Sequence, residues 1–142
     1  MDITKDIYII SRFTHAFFAR ELAALDVTMA QFPFVIGIVE NDGISQEKLS
    51  AKLSMGKSTT AAVVKELEKK NLIIRNVDQA DRRNFQLHAT KKAIMLYPEI
   101  RKVIDRCNTI ISDGLSPEEL SVFCSLLSRV RHTTENALKV NK

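Results

Sequence analysis

Residues 54–90 read SMGKSTTAAVVKELEKKNLIIRNVDQADRRNFQLHAT, and this stretch decides the fold. A helix is expected from Lys57 or Ser58 to about Lys70, with Ala62, Val63 and Leu67 facing inward. Asn71 tolerates the left-handed conformation that ends helices. Leu72–Arg75 then reads as a strand, and Asn84–His88 as its partner, because Phe85 and Leu87 alternate with polar neighbours. Between the two, residues 76–83 are polar and charged, and they set Arg82 and Arg83 side by side at the tip of a hairpin.

Just before this stretch, Ser45 is placed to cap a short helix over about 45–53, whose inner face is Ile44, Leu49 and Leu53. Ser54-Met55-Gly56 is a tight turn. Two short helices joined by a glycine-containing turn have the pattern of a helix-turn-helix, and the basic hairpin that follows makes it a winged one. This lobe is expected over about 28–90. On its N-terminal side a helix over about 3–24 carries Ile3, Ile7, Ile10 and Phe17 on one face and Ile9, Phe13 and Ala16 on a second. Asp26–Thr28 break it. Thr28 with Gln31 forms a capping box for a helix running to about Asn41, and Asn41-Asp42-Gly43 stops that helix. On the C-terminal side Thr90 caps a long helix over 91–112, with a seam of Ile94, Tyr97, Ile100, Ile104, Cys107 and Ile111. Ser116-Pro-Glu-Glu119 is a second capping box, with proline at the first helical position. It opens a last helix to about Lys139 that turns Leu120, Phe123, Leu127, Val130 and Leu138 inward. The expected fold is mainly α with a small β-hairpin wing. Residues 1–25 and 91–142 supply helices with more apolar surface than one lobe can cover, which asks for a second subunit.

The composition of the 142 residues is that of an ordinary globular chain, 45% hydrophobic and 27% charged. No apolar run approaches the roughly 18 residues that span a bilayer. The first residues carry acids ahead of the apolar positions and no cleavage site, so no signal peptide is read there. Cys107 and Cys124 have no metal-ligand spacing. These features point to a reduced, cytosolic, soluble protein without a cofactor. The net charge is +4, but Lys52–Lys92 holds ten Lys/Arg and four acids, so this window carries +6 and the remainder −2. A basic segment on a slightly acidic body suits a localised polyanion-binding surface.

The order of elements and three stretches, SQEKLSAKL, STTAAVVKELEKKNLIIR and DQADRRNFQLHAT, resemble the MarR family of transcription regulators over nearly the whole chain. The resemblance implies a homodimer whose terminal helices intertwine, with two winged lobes that read a pseudo-palindrome in double-stranded DNA. The recognition helix would enter the major groove and the wing arginine the adjacent minor groove. Asp81 and Arg83 match the wing Asp and Arg of the family, the carboxylate presetting the guanidinium for a narrow groove. Arg82 would suit phosphate. Lys57, Ser58, Thr59 and Thr60 stand at the N-terminal end of the recognition helix, where free N–H groups and the positive dipole end favour phosphate. Lys65 lies two turns in, and Lys52 is a weaker candidate on the preceding helix. Where the family often has Thr-Arg, this chain has Ala61-Ala62. Alanine touches a thymine methyl but makes no bidentate base contact, so specificity is expected from Thr60, Lys65 and groove shape.

The resemblance also implies a small-molecule effector bound between the dimerisation helices and the lobe, and His15 is the candidate to line its site. A partly buried or interface histidine is the plainer reading of the same residue. Both cysteines lie on apolar helix faces and read as small hydrophobes. An enzyme is disfavoured, because no nucleophile elbow, phosphate-cradling glycine loop or zinc motif is present. The competing function is a winged-helix protein-interaction module with weak or no DNA binding. The expected role is a repressor.

Overall fold

The computed structural model of the chain describes residues 1–140. Its elements are α1 (Ile3–Leu22), a 3-10 turn (Ala23–Leu25), α2 (Phe32–Glu40), β1 (Ile44–Ser45), α3 (Gln46–Lys52), α4 (Lys57–Lys69), β2 (Ile73–Val77), β3 (Phe85–Ala89), α5 (Lys91–Ser112) and α6 (Pro117–Val140). They form two compact units, Met1–Cys107 and the chain from Asn108 onward. Among the described residues, no helix is long and apolar enough to cross a membrane.

The caps fall where local chemistry puts them. Asp2 accepts from the Lys5 N–H and starts α1. Ser45 accepts from the Lys48 N–H and starts α3. The Thr90 hydroxyl accepts from the Ala93 N–H at 3.2 Å and starts α5. At α6 the capping box is complete: the Ser116 N–H donates to Glu119 Oε2 at 2.8 Å, and the Glu119 N–H donates to Ser116 Oγ at 3.2 Å. Thr28 does not cap α2 as expected: the N-cap is Gln31, without a side-chain cap bond, and of the box only the bond from the Thr28 N–H to Gln31 Oε1 forms, at 3.2 Å. Asn71 takes φ +56° after α4. There the Leu72 N–H reaches back to the Leu67 carbonyl at 3.0 Å, closing the helix with a Schellman-type bond.

The core of the first unit is built from Leu22, Phe34, Val35, Ile38, Leu49, Val64, Leu67, Leu72, Leu87 and Ile100, all essentially excluded from solvent. Phe18 of α1 stacks on Phe32 of α2 with ring centroids 4.7 Å apart. A lysine makes one of the long-range polar links. Lys70 Nζ, just past α4, donates to the Asp26 carbonyl at 2.8 Å and to Gln31 Oε1 at 3.0 Å, tying the α1–α2 junction to the end of the recognition helix.

The structure departs from the sequence reading in four places. First, the wing is a sheet of three strands in the order β1-β3-β2, rather than a two-stranded hairpin. Ile44 pairs with Leu87 and Ser45 with Gln86, so β3 is the central strand. Second, α4 is rotated. Val64 and Leu67 are buried with Thr60, whereas Ala62 is exposed and Val63 half-buried. Third, the buried stripe of α5 is Ala93, Ile100, Val103 and Cys107, and Ile94 of the expected seam is exposed. Fourth, the apolar residues expected to turn inward on α6 are not covered within one chain. Phe123, Leu127, Val130 and Leu138 are exposed. On α1, Ile3, Ile7, Tyr8, Ile9, Ile10 and Phe13 are also exposed, the excess apolar surface expected of this helix, and burial begins at Phe17.

Candidate nucleic-acid interface

α3 and α4 are held together at the turn between them by a chain of hydroxyls. Thr60 Oγ1 donates to Ser50 Oγ at 3.1 Å, and Ser50 Oγ donates to the Met55 carbonyl at 2.7 Å. Ser54 takes φ +53° to make the turn. Gly56 is the N-cap of α4 in an extended conformation and supplies no side-chain cap. The first N–H groups of a helix have no partner inside it, and here no cap side chain covers them, so this end has the polarity that attracts an anion.

Lys57, Ser58 and Thr59 are exposed at that end, and Lys65 is exposed further along the same helix. Thr60 is a correction. It is 0% exposed, and its hydroxyl is spent on Ser50, so it serves the joint between the two helices instead of a DNA contact. The rotation of α4 explains this. With Val64 and Leu67 directed into the core, the residue one turn before Val64 is carried inward, and Ala62 comes to the surface. Lys52, the weaker candidate, lies on α3 with Nζ 3.5 Å from Asn41 Oδ1.

The wing tip is stiffened by its own side chains. Asp78 N–H donates to the Asn84 carbonyl at 3.0 Å, and Asn84 N–H to the Asp81 carbonyl at 2.9 Å. Asp78 Oδ1 accepts from the Ala80 N–H at 2.8 Å. One oxygen of Asp81, Oδ1, receives both the Arg83 N–H at 3.1 Å and Arg83 Nε at 3.2 Å. The carboxylate thus grips the near edge of the guanidinium and does not consume its two terminal amino groups. The Arg83 side chain is 93% exposed, so Asp81 orients it without burying it. Arg82 is exposed beside it.

Of the expected site residues, Lys57, Thr60, Asp81 and Arg83 line one open groove of about 410 Å³, along with Gln46, Glu47, Ser50, Asn84 and Phe85. The groove lies between the N-terminal ends of the two helices and the wing. Lys65 and Arg82 are not among its lining residues. Sequence reasoning missed Gln46 and Phe85. Phe85 is signalled locally only as a strand residue, and Gln46 carries no local signal. Their meeting depends on the sheet register, which no local pattern carries. His15 is exposed on α1, with Nδ1 2.9 Å from the Ser11 carbonyl of its own helix.

At the base of the wing, the Asn41-Asp42-Gly43 turn is bound to β3. Asp42 Oδ2 lies 3.1 Å from His88 Nδ1, and Oδ1 accepts from the Ala89 N–H at 2.9 Å. The contact with His88 and then the Ala89 bond hold the Asp42 carboxyl below its ordinary pKa.

Known proteins share the sequence pattern and the fold. The MarR family profile matches residues 27–85. The chain is 31% identical over 134 residues to the HTH-type transcriptional regulator YybA of Bacillus subtilis, covering 94% of this chain and 89% of the relative. The crystal structure of the transcriptional regulator SlyA superposes with a TM-score of 0.93 at 28% identity, with both chains fully covered. A MarR family transcriptional regulator from Listeria monocytogenes, complexed with 26mer DNA, superposes with a TM-score of 0.89 at 30% identity, over 96% of this chain and 91% of that one. The chain belongs to the MarR family of winged helix-turn-helix transcriptional regulators.

Proposed function

We propose that two copies of this regulator bind a pseudo-palindromic operator in double-stranded DNA, acting as a repressor that a small-molecule effector releases. The observation that carries the reading is the groove shared by Lys57 and Arg83, in which Asp81 presets the arginine. In this reading α4 enters the major groove. Lys57, Ser58 and Thr59 meet phosphate at its positive end, and Lys65 reaches toward base edges. Arg83 enters the adjacent minor groove, and Arg82 pairs with phosphate. The Listeria relative complexed with 26mer DNA supports duplex DNA as the partner. The homodimer is supported by the exposed apolar residues of α1 and of α6, since a lone chain seldom leaves such surface in water. Winged lobes about one helical turn apart, roughly 34 Å, would then match two half-sites. His15 is the candidate effector contact, its exposed ring lying on a helix proposed to join the dimer. An effector acts by binding better to one spacing of the lobes than to the other.

The test begins with selection of bound duplexes from a random pool by the full chain. A two-fold symmetric consensus is the expected result. Arg83→Ala is expected to weaken the selected duplex by about tenfold or more while leaving the urea unfolding midpoint in place. Lys57→Ala is expected to weaken selected and random duplexes alike and to lower the salt slope by about one. Absent or salt-insensitive binding would replace this reading with that of a protein-interaction module.

A further inference from the structure

The groove joins two elements that have no covalent reason to keep a fixed spacing. α4 and the wing tip are separated by most of a hairpin, and two-stranded ribbons twist easily. One side chain bridges them. Arg75 sits in the middle of β2, its Cα paired with Leu87 of β3. Its Nε lies 3.3 Å from Glu68 Oε2, on the last turn of α4. Its guanidinium carbon lies 4.5 Å from the centre of the Phe85 ring. Phe85 pairs with Val77, so Arg75 reaches it along the diagonal of the ladder, a distance long side chains can span.

From Phe85 the path to the wing tip is short. Its N–H donates to Asn84 Oδ1 at 2.9 Å, and the backbone of Asn84 closes the turn onto Asp78 and Asp81. Asp81 in turn orients Arg83. At the other end, Glu68 is fixed by the closing turn of α4, next to the left-handed Asn71. The Arg75 and Glu68 side chains are 33% and 30% exposed, so the pair is partly shielded from water and is joined by the ring contact. The guanidinium meets a carboxylate and an aromatic ring at once, a setting in which arginine and lysine are not interchangeable.

We propose that Arg75 is a positioning residue for DNA recognition: through Glu68 and Phe85 it locks the wing to the recognition helix, so that Lys57 and Arg83 meet the duplex at one preset spacing. The inference rests on the reading of Arg83 as a DNA contact. Its effect falls on specific binding, because only a matched site requires both groups at once, and disorder left in the free protein is paid when they engage. Non-specific binding through phosphates tolerates a loose wing.

The test is a double-mutant cycle on the full chain with Arg75→Met, Arg83→Ala and the pair. Anisotropy is measured on the highest-affinity duplex from the random pool and on a random-sequence duplex of equal length, with folding checked by circular dichroism. Arg75→Met is expected to weaken the selected duplex about tenfold, about 1.4 kcal/mol, and to leave the random duplex and its salt slope unchanged. The cost of Arg83→Ala should shrink to about threefold or less in the Arg75→Met background, because the two act as a unit. Glu68→Gln breaks the ion pair while keeping the packing. It should reproduce part of the effect, and it replaces Arg75→Met in the cycle if that variant does not fold. Arg75→Lys should restore less than half of the loss in binding free energy.

Additive losses would overturn the proposal, as would an unchanged selected-duplex affinity in Arg75→Met and Glu68→Gln. Equal weakening of both duplexes with a salt slope lower by about one would mean that Arg75 touches phosphate itself, and this also overturns it. If Arg83→Ala alone has no effect, the wing reading fails, and the positioning role falls with it. If Arg83→Ala weakens binding but the cycle is additive, only the positioning role fails.

Discussion

Thr60→Val separates a residue that reads DNA from one that holds the reader together. The Thr60 hydroxyl is fully excluded from solvent and donates to Ser50 Oγ at 3.1 Å. Valine keeps the shape and removes the donor. Ser50 still donates to the Met55 carbonyl at 2.7 Å, so no buried donor is stranded. The expected cost is that of one net hydrogen bond, about 1 kcal/mol. Ser50→Ala takes out the centre of the chain instead. It strands the buried Thr60 hydroxyl, and the expected cost rises to about 1–3 kcal/mol. Both variants are read by urea unfolding at one fixed protomer concentration, because the proposed dimer would make the midpoint concentration-dependent. On the selected duplex, Thr60→Val is expected to stay within about twofold of wild type, less than 0.5 kcal/mol. An unchanged urea midpoint with about a tenfold loss of DNA affinity would refute the reasoning, because the hydroxyl would then be reaching the duplex.

Three further outcomes are expected. Thr90→Ala removes the acceptor for the Ala93 N–H and the donor to the Asn71 carbonyl at 2.7 Å, and should cost about 1–2 kcal/mol in urea unfolding. Asp42 has a folded pKa held below its ordinary value, so its contribution is present above the unfolded pKa of about 3.9 and is lost as pH falls through the folded one. Asp42→Asn should therefore flatten the fall in Tm below about pH 4, and an acid limb as steep as wild type would refute the link. Burial pushes the Cys107 thiol pKa up, so alkylation followed by mass spectrometry should modify Cys107 only on unfolding. Labelling of Cys107 in the native protein at the rate of a free thiol would contradict its placement in the core.

The caps were legible because they are local chemistry. Ser45, Thr90 and Ser116 each carry their partner within three residues, and α5 begins where Thr90 places it. The wing pair was legible for the same reason, with Asp81 and Arg83 two residues apart. The face of α4 was not. Ala61, Ala62, Val63 and Val64 form an apolar run that goes around the helix, so periodicity offers no unique inner side. Packing resolves it by burying the larger Val64 and giving up Ala62, which draws Thr60 inside. β1 was hidden because two residues hold no alternation, and its pairing is set by Gly43, whose φ of +82° turns the chain onto β3. Arg75 gave no signal in its own neighbourhood, since Glu68 and Phe85 approach it only in the folded sheet.

The placement of β3 between β1 and β2 has a consequence for how the molecule opens. Leu87 accepts from the Gly43 N–H at 2.9 Å and lies opposite Ile44 on one side and Arg75 on the other. Its surroundings cannot be exposed by peeling the hairpin from one edge, so amide protons here exchange only through openings that also disturb the start of α3. From Val77 and Phe85 outward the ladder has two strands, and then a tip held by turn bonds and by the side chains of Asp78 and Asp81, without ladder pairs. Opening free energy therefore falls along the wing from root to tip. Arg82 and Arg83 ride on the easily opened end of an element whose root opens with the helix-turn-helix itself.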